Sequence, residues 1–545
     1  MQGANGHTVL CAGAHSIQCV DPPLQRGASR VESGRPHHVW FIVALVVLAA
    51  PCLLLHLGTL PIRLWDESRQ AVSALEMMEG GNPLVPTYLG KPDMWNTKPP
   101  LLIWLQVASL RAFGFSEVAI RLPSALAALA TVGIVFWFCA KALGNPRIGL
   151  FAGLVLVSSR GYVGPHVART GDYDALLTLW TTASALSFFL FLETSVDGRK
   201  PWYLGGTAGY MALAVLTKAT SGLLVLPGVA IYALLRGRAR SLFRCRGLLP
   251  SLALFLAVVG GYYGLREHRN PGYFAAVLKN DVGGRFFSTI EQHEGPFDYY
   301  YTRLRDTRFS PWLYYLPFGL AVGLVSRRER VRDLALFLTF GVLVFMAVIS
   351  AGETKLEWYD APFYPLAALL VAIGLDSIME SLVQTRIGTG PRHIQRAALV
   401  ILLGFAMFGQ PYRAVFNAAW SPREERWEQE KYQLAYFLRS ECLRGPSFNA
   451  ITIAYQGFDQ HLRVYAAALR SRGCAVSFAP LEQLAESTLV AASQEPVKAQ
   501  IESLYVHEVV RDMGDARVYL IQSRTTSHQS ESGPARAIAG VATCT

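Results

Sequence analysis

A chain of 545 residues that is 52% hydrophobic and only 16% charged has too little charge to clothe several soluble domains, so it reads as a polytopic membrane protein. The net charge of +11 does not point to nucleic acid, because the arginines fall in short clusters between apolar runs, as in RGRARSLFRCR (236–246) and RRERVR (327–332), the pattern of the positive-inside rule. The eight cysteines show no CxxC or Cys/His spacing, so no structural zinc site is indicated.

In chain order, residues 1–38 mix Gly, Ser, Pro, His and Arg without apolar periodicity and are expected to form a disordered cytoplasmic tail. The run 39–61 carries no Asp, Glu, Lys or Arg and follows Arg26, Arg30 and Arg35, which orients it as a first span from the cytoplasm outward. It is too long for the apolar region of a signal peptide, and no small-residue cleavage site follows it. A polar loop comes next, 64–101, holding Asp66, Glu67, Arg69, Glu76, Lys91 and Lys98. The run 101–115 is short and interrupted by Arg111, so it is expected to lie at the interface. Further spans are expected near 121–140, 148–164, 174–193, 203–217, 221–235, 248–265, 311–326, 333–351, 361–378 and 397–412. That makes about eleven with the first, and up to thirteen if the marginal runs also cross.

Alternate threading supplies a check independent of how the spans were chosen. The basic stretches 141–147, 197–200, 236–246, 327–332 and 386–396 all fall on the cytoplasmic side. The other side collects the loop around Asp66 and Lys98, HVARTGDYDAL (166–176), Lys218, the loop 266–310 and GETKLEWYDAP (352–362). After about residue 412, β-branched runs (AITIAY, AVSFAP, ARVYLIQ) alternate with helical patterns. The expected division is therefore a tail (1–38), a transmembrane part (39–412) and a small extracytoplasmic α/β domain (413–545). Cys442 and Cys474 then lie in an oxidising space as candidates for a disulfide, with Cys544 a third.

Carboxylates at a membrane lip often do no more than cap the next helix. Two pairs, Asp66/Glu67 and Asp172/Asp174, on one face with Lys98, Lys218, Arg285, Lys355 and Tyr359 suggest more: a base beside a phosphate clamp. Any single lysine near a span end is most simply a snorkelling residue. Several on the side that the positive-inside rule depletes fit a cavity for a lipid phosphate. His293 stands alone in a long aromatic loop, where a structural role is the simplest reading.

Seven fragments in this order, WDESRQAVSALEMM, NTKPPLLIWL, RLPSALAAL, GDYDALLTLW, LTKAT, RFFSTIEQHEGPFDYY and KLEWYDAPFYPLAALL, resemble the GT-C superfamily of polyprenyl-phosphate-sugar glycosyltransferases, in its ArnT-like branch related to protein mannosyltransferases. The resemblance covers roughly 39–375. It implies a GT-C transmembrane fold, Asp66 as the acidic residue essential for transfer, and Asp174 as the second cavity aspartate. It also implies Lys98 as the lysine before paired prolines that holds the lipid phosphate, with Arg285 and Tyr359 as further phosphate contacts. Two departures concern a metal that the aminoarabinose transferases bind through a glutamate and a histidine. The glutamate position is Thr97 here, and the stretch 279–282 holds no histidine, so a divalent metal is left unassigned.

The combined reading is an inverting glycosyltransferase of the bacterial inner membrane. It takes a sugar from a polyprenyl-phosphate donor and passes it to a periplasmic lipid, glycan or protein, with membrane lipids as its other partners. Asp66 is the expected base, kept ionised by Lys98, with Asp174 the second catalytic carboxylate, while Glu67 turns to Arg69 or a helix end. Lys218 and Lys355 are further phosphate ligands, and Glu67, Asp172 and His293 are accessory candidates. The rival reading is a transporter or flippase of lipid-linked substrates, which would want ionisable or broken-helix positions at mid-bilayer.

Overall fold

The computed structural model describes residues 35–289, 292–384 and 392–525. The tail 1–34 and Cys544 lie outside them, as do the side chains of Arg285 and of 383–384. The first helices are α1 (Arg35–Leu54), α2 (Asp66–Met78), α3 (Leu101–Phe113), α4 (Glu117–Ala142), α5 (Pro146–Val157), α6 (Arg160–Val163), α7 (Asp174–Glu193) and α8 (Lys200–Lys218).

Each of the eleven expected runs lies on helix, but their lengths differ from expectation. Among the described residues, α4, α7, Leu248–Arg269, Glu329–Ala351 and Phe363–Leu382 are long and apolar enough to cross a bilayer unaided. The runs expected at 203–217 and 221–235 are a helix pair bent by 73°, and the chain goes out and back across it, from Lys218 beside Asp174 at the start of α7 to Arg238 beside Glu193 at its end. Shorter apolar helices occupy Val39–Leu54, Leu101–Phe113, Pro146–Val157 and Trp312–Val325. Apolar length in sequence therefore overstates helical length, because Pro227 and Pro317 start new helices inside apolar stretches.

The main core packs α1, α4, α5, α7 and the helices of residues 316–375 around side chains such as Leu45, Val135, Phe189, Trp312, Phe337 and Tyr364. The loop after α2 forms a small hairpin of β1 (Thr87–Tyr88) and β2 (Lys91–Pro92), with Leu89 and Gly90 at positive φ as its two-residue turn requires.

After the long helix Arg392–Trp420, the chain forms helices Arg426–Arg444, Gln460–Arg470 and Glu495–Leu504 and strands β3 (Ala450–Ile453), β4 (Ala475–Phe478), β5 (Thr488–Ala492), β6 (Tyr505–Asp512) and β7 (Arg517–Arg524). The strand order is β4-β3-β5-β7-β6, parallel across β4, β3 and β5 and antiparallel from β5 onward. Its apolar core is continuous with the membrane-proximal loop: Ile62, Val72, Leu75, Ile103 and Leu110 share one buried cluster with Leu434, Leu438, Tyr465, Leu469 and Ala491. Cys442 and Cys474 are both buried and both free, so the disulfide considered for them is absent. The Cys442 thiol lies 3.7 Å from the Tyr465 carbonyl.

Candidate functional site

Between α1 and α2 the chain runs across the bundle through residues 55–65 and turns at Trp65, whose φ of 75° is in the left-handed region. The Trp65 ring packs against Phe458, tilted by 50° with the ring centres 4.1 Å apart, which ties this turn to the C-terminal sheet unit. α2 then opens on Asp66 and Glu67, two carboxylates that suit the positive end of a helix.

These neighbours do different things. Glu67 is wholly buried and accepts from Arg121 Nε (2.6 Å), Arg121 Nη2 (2.9 Å), Arg63 N–H (2.7 Å) and Gly171 N–H (2.8 Å). Burial would push its pKa up, but the Arg121 guanidinium and the two backbone donors outweigh that and hold it below the ordinary glutamate value. Arg121 also donates to the carbonyls of Leu57, Leu60 and Pro61, so Glu67 and Arg121 lock the approach loop, α4 and the turn before α7 together. The turn is packed closely enough that a Cβ on Gly171 would meet Ile120 at 2.8 Å and the Gln106 amide at 2.9 Å. The expectation that Glu67 faces away from the cavity holds, but its partner is Arg121; Arg69 instead forks onto Asp93 at 2.7 Å.

Asp66 faces a cavity lined also by Asn96, Lys98, Asp172, Tyr173, Asp174, Lys218, Trp358 and Tyr359. Lys98 arrives from the loop before α3, which Asp93 shapes by accepting the N–H groups of Trp95 and Asn96. Lys218 is the last residue of α8, at the bent helix pair, and Asp174 is the first of α7; their charged groups meet at 2.5 Å, both almost fully buried. The Lys218 ammonium also lies 5.1 Å from the centre of the Tyr359 ring.

The polar cavity opens into a cleft of about 280 Å³, which shares Lys98, Asp174, Lys218 and Tyr359 and continues along Leu177, Leu224, Phe286, Phe345, Val348 and Ile349. Charge at one end and an apolar wall at the other suit an amphiphile with an anionic head.

Lys355 is not part of this arrangement. Its ammonium donates to the carbonyls of Ser350 (2.6 Å) and Gly352, satisfying the end of the helix Glu329–Ala351. His293 is exposed, its carbonyl accepts the Lys355 N–H at 2.7 Å, and it does not line the cavity. Arg285 begins the short helix Arg285–Phe287, whose Phe286 and Phe287 line the cleft.

Where the resemblance expects a metal, Thr97 donates its hydroxyl to Asp281 at 2.6 Å, and the Lys98 ammonium is 3.9 Å from the same carboxylate. One carboxylate already shared by a hydroxyl and an ammonium does not make a divalent-metal site, so the chain does not fit that metal at that position.

Sequence reading missed His166. It sits in the left-handed region (φ 61°), pinned by its N–H to Thr170 Oγ1 at 2.6 Å, with its ring stacked on Trp358 at 3.7 Å. Burial pushes its pKa down to about 4. Asp172, its neighbour, has its pKa raised well above the carboxylate range by burial and by the negative charges of Asp66 and Glu67. The only sequence signal was the position of His166 in the same polar turn as Asp172. Asn96, Tyr173 and Asp281 were likewise invisible as site residues, because only the folded loop brings them to the wall.

A family model described as dolichyl-phosphate-mannose-protein mannosyltransferase matches residues 97–262. The undecaprenyl phosphate-alpha-4-amino-4-deoxy-L-arabinose arabinosyl transferase of Edwardsiella ictaluri is 30% identical over 389 residues, 68% of this chain and 67% of that protein. The protein of the same description from Aeromonas salmonicida is 29% identical over 334 residues, 60% of this chain and 58% of its own length. Among solved structures, ArnT from Cupriavidus metallidurans bound to undecaprenyl phosphate aligns over 88% of this chain and 97% of its own, with a TM-score of 0.64 at 18% identity. That likeness is one of fold.

Proposed function

Because this chain belongs to the ArnT-like branch of the GT-C polyprenyl-phosphate-sugar glycosyltransferases, we propose that it transfers a sugar from a polyprenyl-phosphate donor to an acceptor hydroxyl on the periplasmic side of the inner membrane, with Asp66 as base. The observation that carries this reading is the single cavity joining Asp66 to Lys98, Lys218 and Tyr359 and running on into the apolar cleft.

The cleft takes the first isoprene units of the donor, and its phosphate meets Lys98 and Lys218. Asp174 does not react; it fixes the Lys218 ammonium at 2.5 Å. The sugar then lies between the phosphate and Asp66. The acceptor oxygen attacks the anomeric carbon from the side opposite the phosphate, its proton passes to Asp66, and the bond from the anomeric carbon to the phosphate oxygen breaks. Configuration inverts, and the polyprenyl phosphate leaves as an anion stabilised by the two ammonium groups. The aminoarabinose named in the Edwardsiella relative is the sugar to try first, with lipid, glycan and protein acceptors compared in envelope extracts by mass spectrometry.

Asp66→Asn keeps the shape and removes the base, so transfer is expected to fall by about a hundredfold or more with donor binding retained. Lys98→Ala is expected to weaken donor binding by roughly ten- to a hundredfold, the loss of one charge-assisted contact. An Asp66→Asn protein that transfers sugar at the parental rate sinks the base assignment. Movement of the donor across vesicles without any sugar transfer would restore the transporter reading.

A further inference from the structure

On the far wall of the same cavity, side chains from two separate loops converge in a way that phosphate binding does not use. One ligand atom from each of Asp66, His166 and Asp172 lies within 4.8 Å of the other two. His166 Nδ1 is 3.5 Å from Asp172 Oδ2. Asp172 is 1% exposed, and its Oδ1 is a buried atom without a hydrogen-bond partner among the described residues; His166 Nδ1 is another. An unpartnered buried carboxylate oxygen beside an unpartnered imidazole nitrogen is costly unless something fills the space between them.

The cluster is also held in place. Thr170 fixes both ends of the turn, accepting the His166 N–H at 2.6 Å and donating to Asp172 Oδ2 at 2.5 Å, while Trp358 covers the imidazole face. Nitrogen and oxygen ligands sit about 2.0–2.2 Å from a divalent transition metal, hence about 3–3.5 Å from one another, and the present spacing closes to that by small side-chain rotations. An imidazole with two carboxylates suits a first-row transition ion rather than calcium or magnesium, which prefer oxygen alone.

We propose that Asp66, His166 and Asp172 bind one divalent first-row transition cation, of the Mn²⁺ or Zn²⁺ class. The site is distinct from the Thr97–Lys98–Asp281 group. Its consequence for transfer rests on the reading of Asp66 as base, though the binding itself does not: the ion holds one oxygen of Asp66 and turns the other toward the acceptor.

The test uses the full-length protein in detergent, stripped with a chelator that is then removed, and titrated with Mn²⁺ followed by electron paramagnetic resonance. One tightly bound ion per chain is expected, with nitrogen modulation from a directly bound imidazole in the unaltered protein. His166→Gln and Asp172→Asn should each weaken it at least about tenfold, and His293→Ala should not. No stoichiometric Mn²⁺, bound Mn²⁺ without the nitrogen signal, or unchanged affinity in both variants overturns the site while leaving Asp66 as base. Mn²⁺ bound in a His166-dependent way, alongside an Asp66→Asn protein of parental activity, upholds the site and removes the base instead.

Discussion

Asp66 and Glu67 are adjacent and equally acidic, yet one lines a cavity and the other is a buried rivet. The difference lies in what arrives from elsewhere: Arg121 from α4 and the Gly171 N–H from the turn before α7 both come to Glu67. Glu67→Gln therefore leaves the Arg121 guanidinium buried without its counter-charge, a defect of about 3–5 kcal/mol. That variant is expected to lose thermal stability and membrane expression, whereas Asp66→Asn is expected to melt like the parent; comparing their melting curves in detergent separates a structural carboxylate from a chemical one. Equal stability of the two variants would contradict the assignment. Glu67 also sets an acid limit. Its folded-state pKa is lowered, so the stability it contributes is complete above the unfolded value near 4.5 and is lost as pH falls through the folded value.

At the scale of elements, the C-terminal helices grip the segment that delivers Asp66. The Tyr465 hydroxyl accepts the Ile62 N–H at 2.9 Å and donates to Glu117 at 2.8 Å, and Tyr432 accepts the Leu64 N–H at 3.1 Å. Arg63 reaches Glu424 and Glu428, and Arg439 pairs with Glu117 while donating to the carbonyls of Gly58 and Thr59. Tyr465→Phe strands one buried N–H and loosens Glu117, at a cost of about 1–3 kcal/mol. Its expected signature is a lower kcat with KM for the donor little changed, because residues 62–66 shift while the phosphate site stays; a KM effect alone would speak against a positioning role.

The helix Gln460–Arg470 carries a pH sensor of its own stability. His461 is buried, with Nε2 2.9 Å from the Lys431 carbonyl, and burial lowers its pKa to about 4. Between its unfolded value near 6.5 and 4 the unfolded chain holds a proton that the folded one does not, so stability falls as pH drops through that window. Melting temperatures at pH 7.5 and 5 should differ less in His461→Gln than in the parent.

For the whole molecule, α7 acts as a ruler. Asp174 at its start lies in the cavity, and Glu193 at its end pairs with Arg238 at 3.1 Å. Twenty helical residues separate the two ends, about 30 Å or one hydrocarbon thickness. The basic stretches meet at the Glu193 end: Arg236 pairs with Asp333 at 2.5 Å, and Arg330 donates to the Ala142 carbonyl at 3.0 Å. The orientation we propose from the positive-inside rule has the cavity outside. Reporter fusions after Arg240 and after Gly445 should give opposite readings, and matching ones would overturn the orientation.

What the sequence by itself determined was the membrane class, the helical runs, and the gathering of Asp66, Lys98, Asp172, Asp174, Lys218 and Tyr359 on one face. Charge exclusion from lipid and the lysine and arginine bias are properties of the chain order alone, so they need no coordinates. Only the tertiary structure decided which of those residues meet. Lys355, expected at the phosphate, serves a helix end, because the Ser350 and Gly352 carbonyls lie within reach of its ammonium in the fold. His166 enters because a left-handed backbone and the Trp358 ring aim it at Asp172, and neither is written in residue spacing. The bent pair at Lys218 and the shared core under α2 have the same cause: where a helix breaks and what it leans on depend on packing against distant segments, which local sequence does not encode.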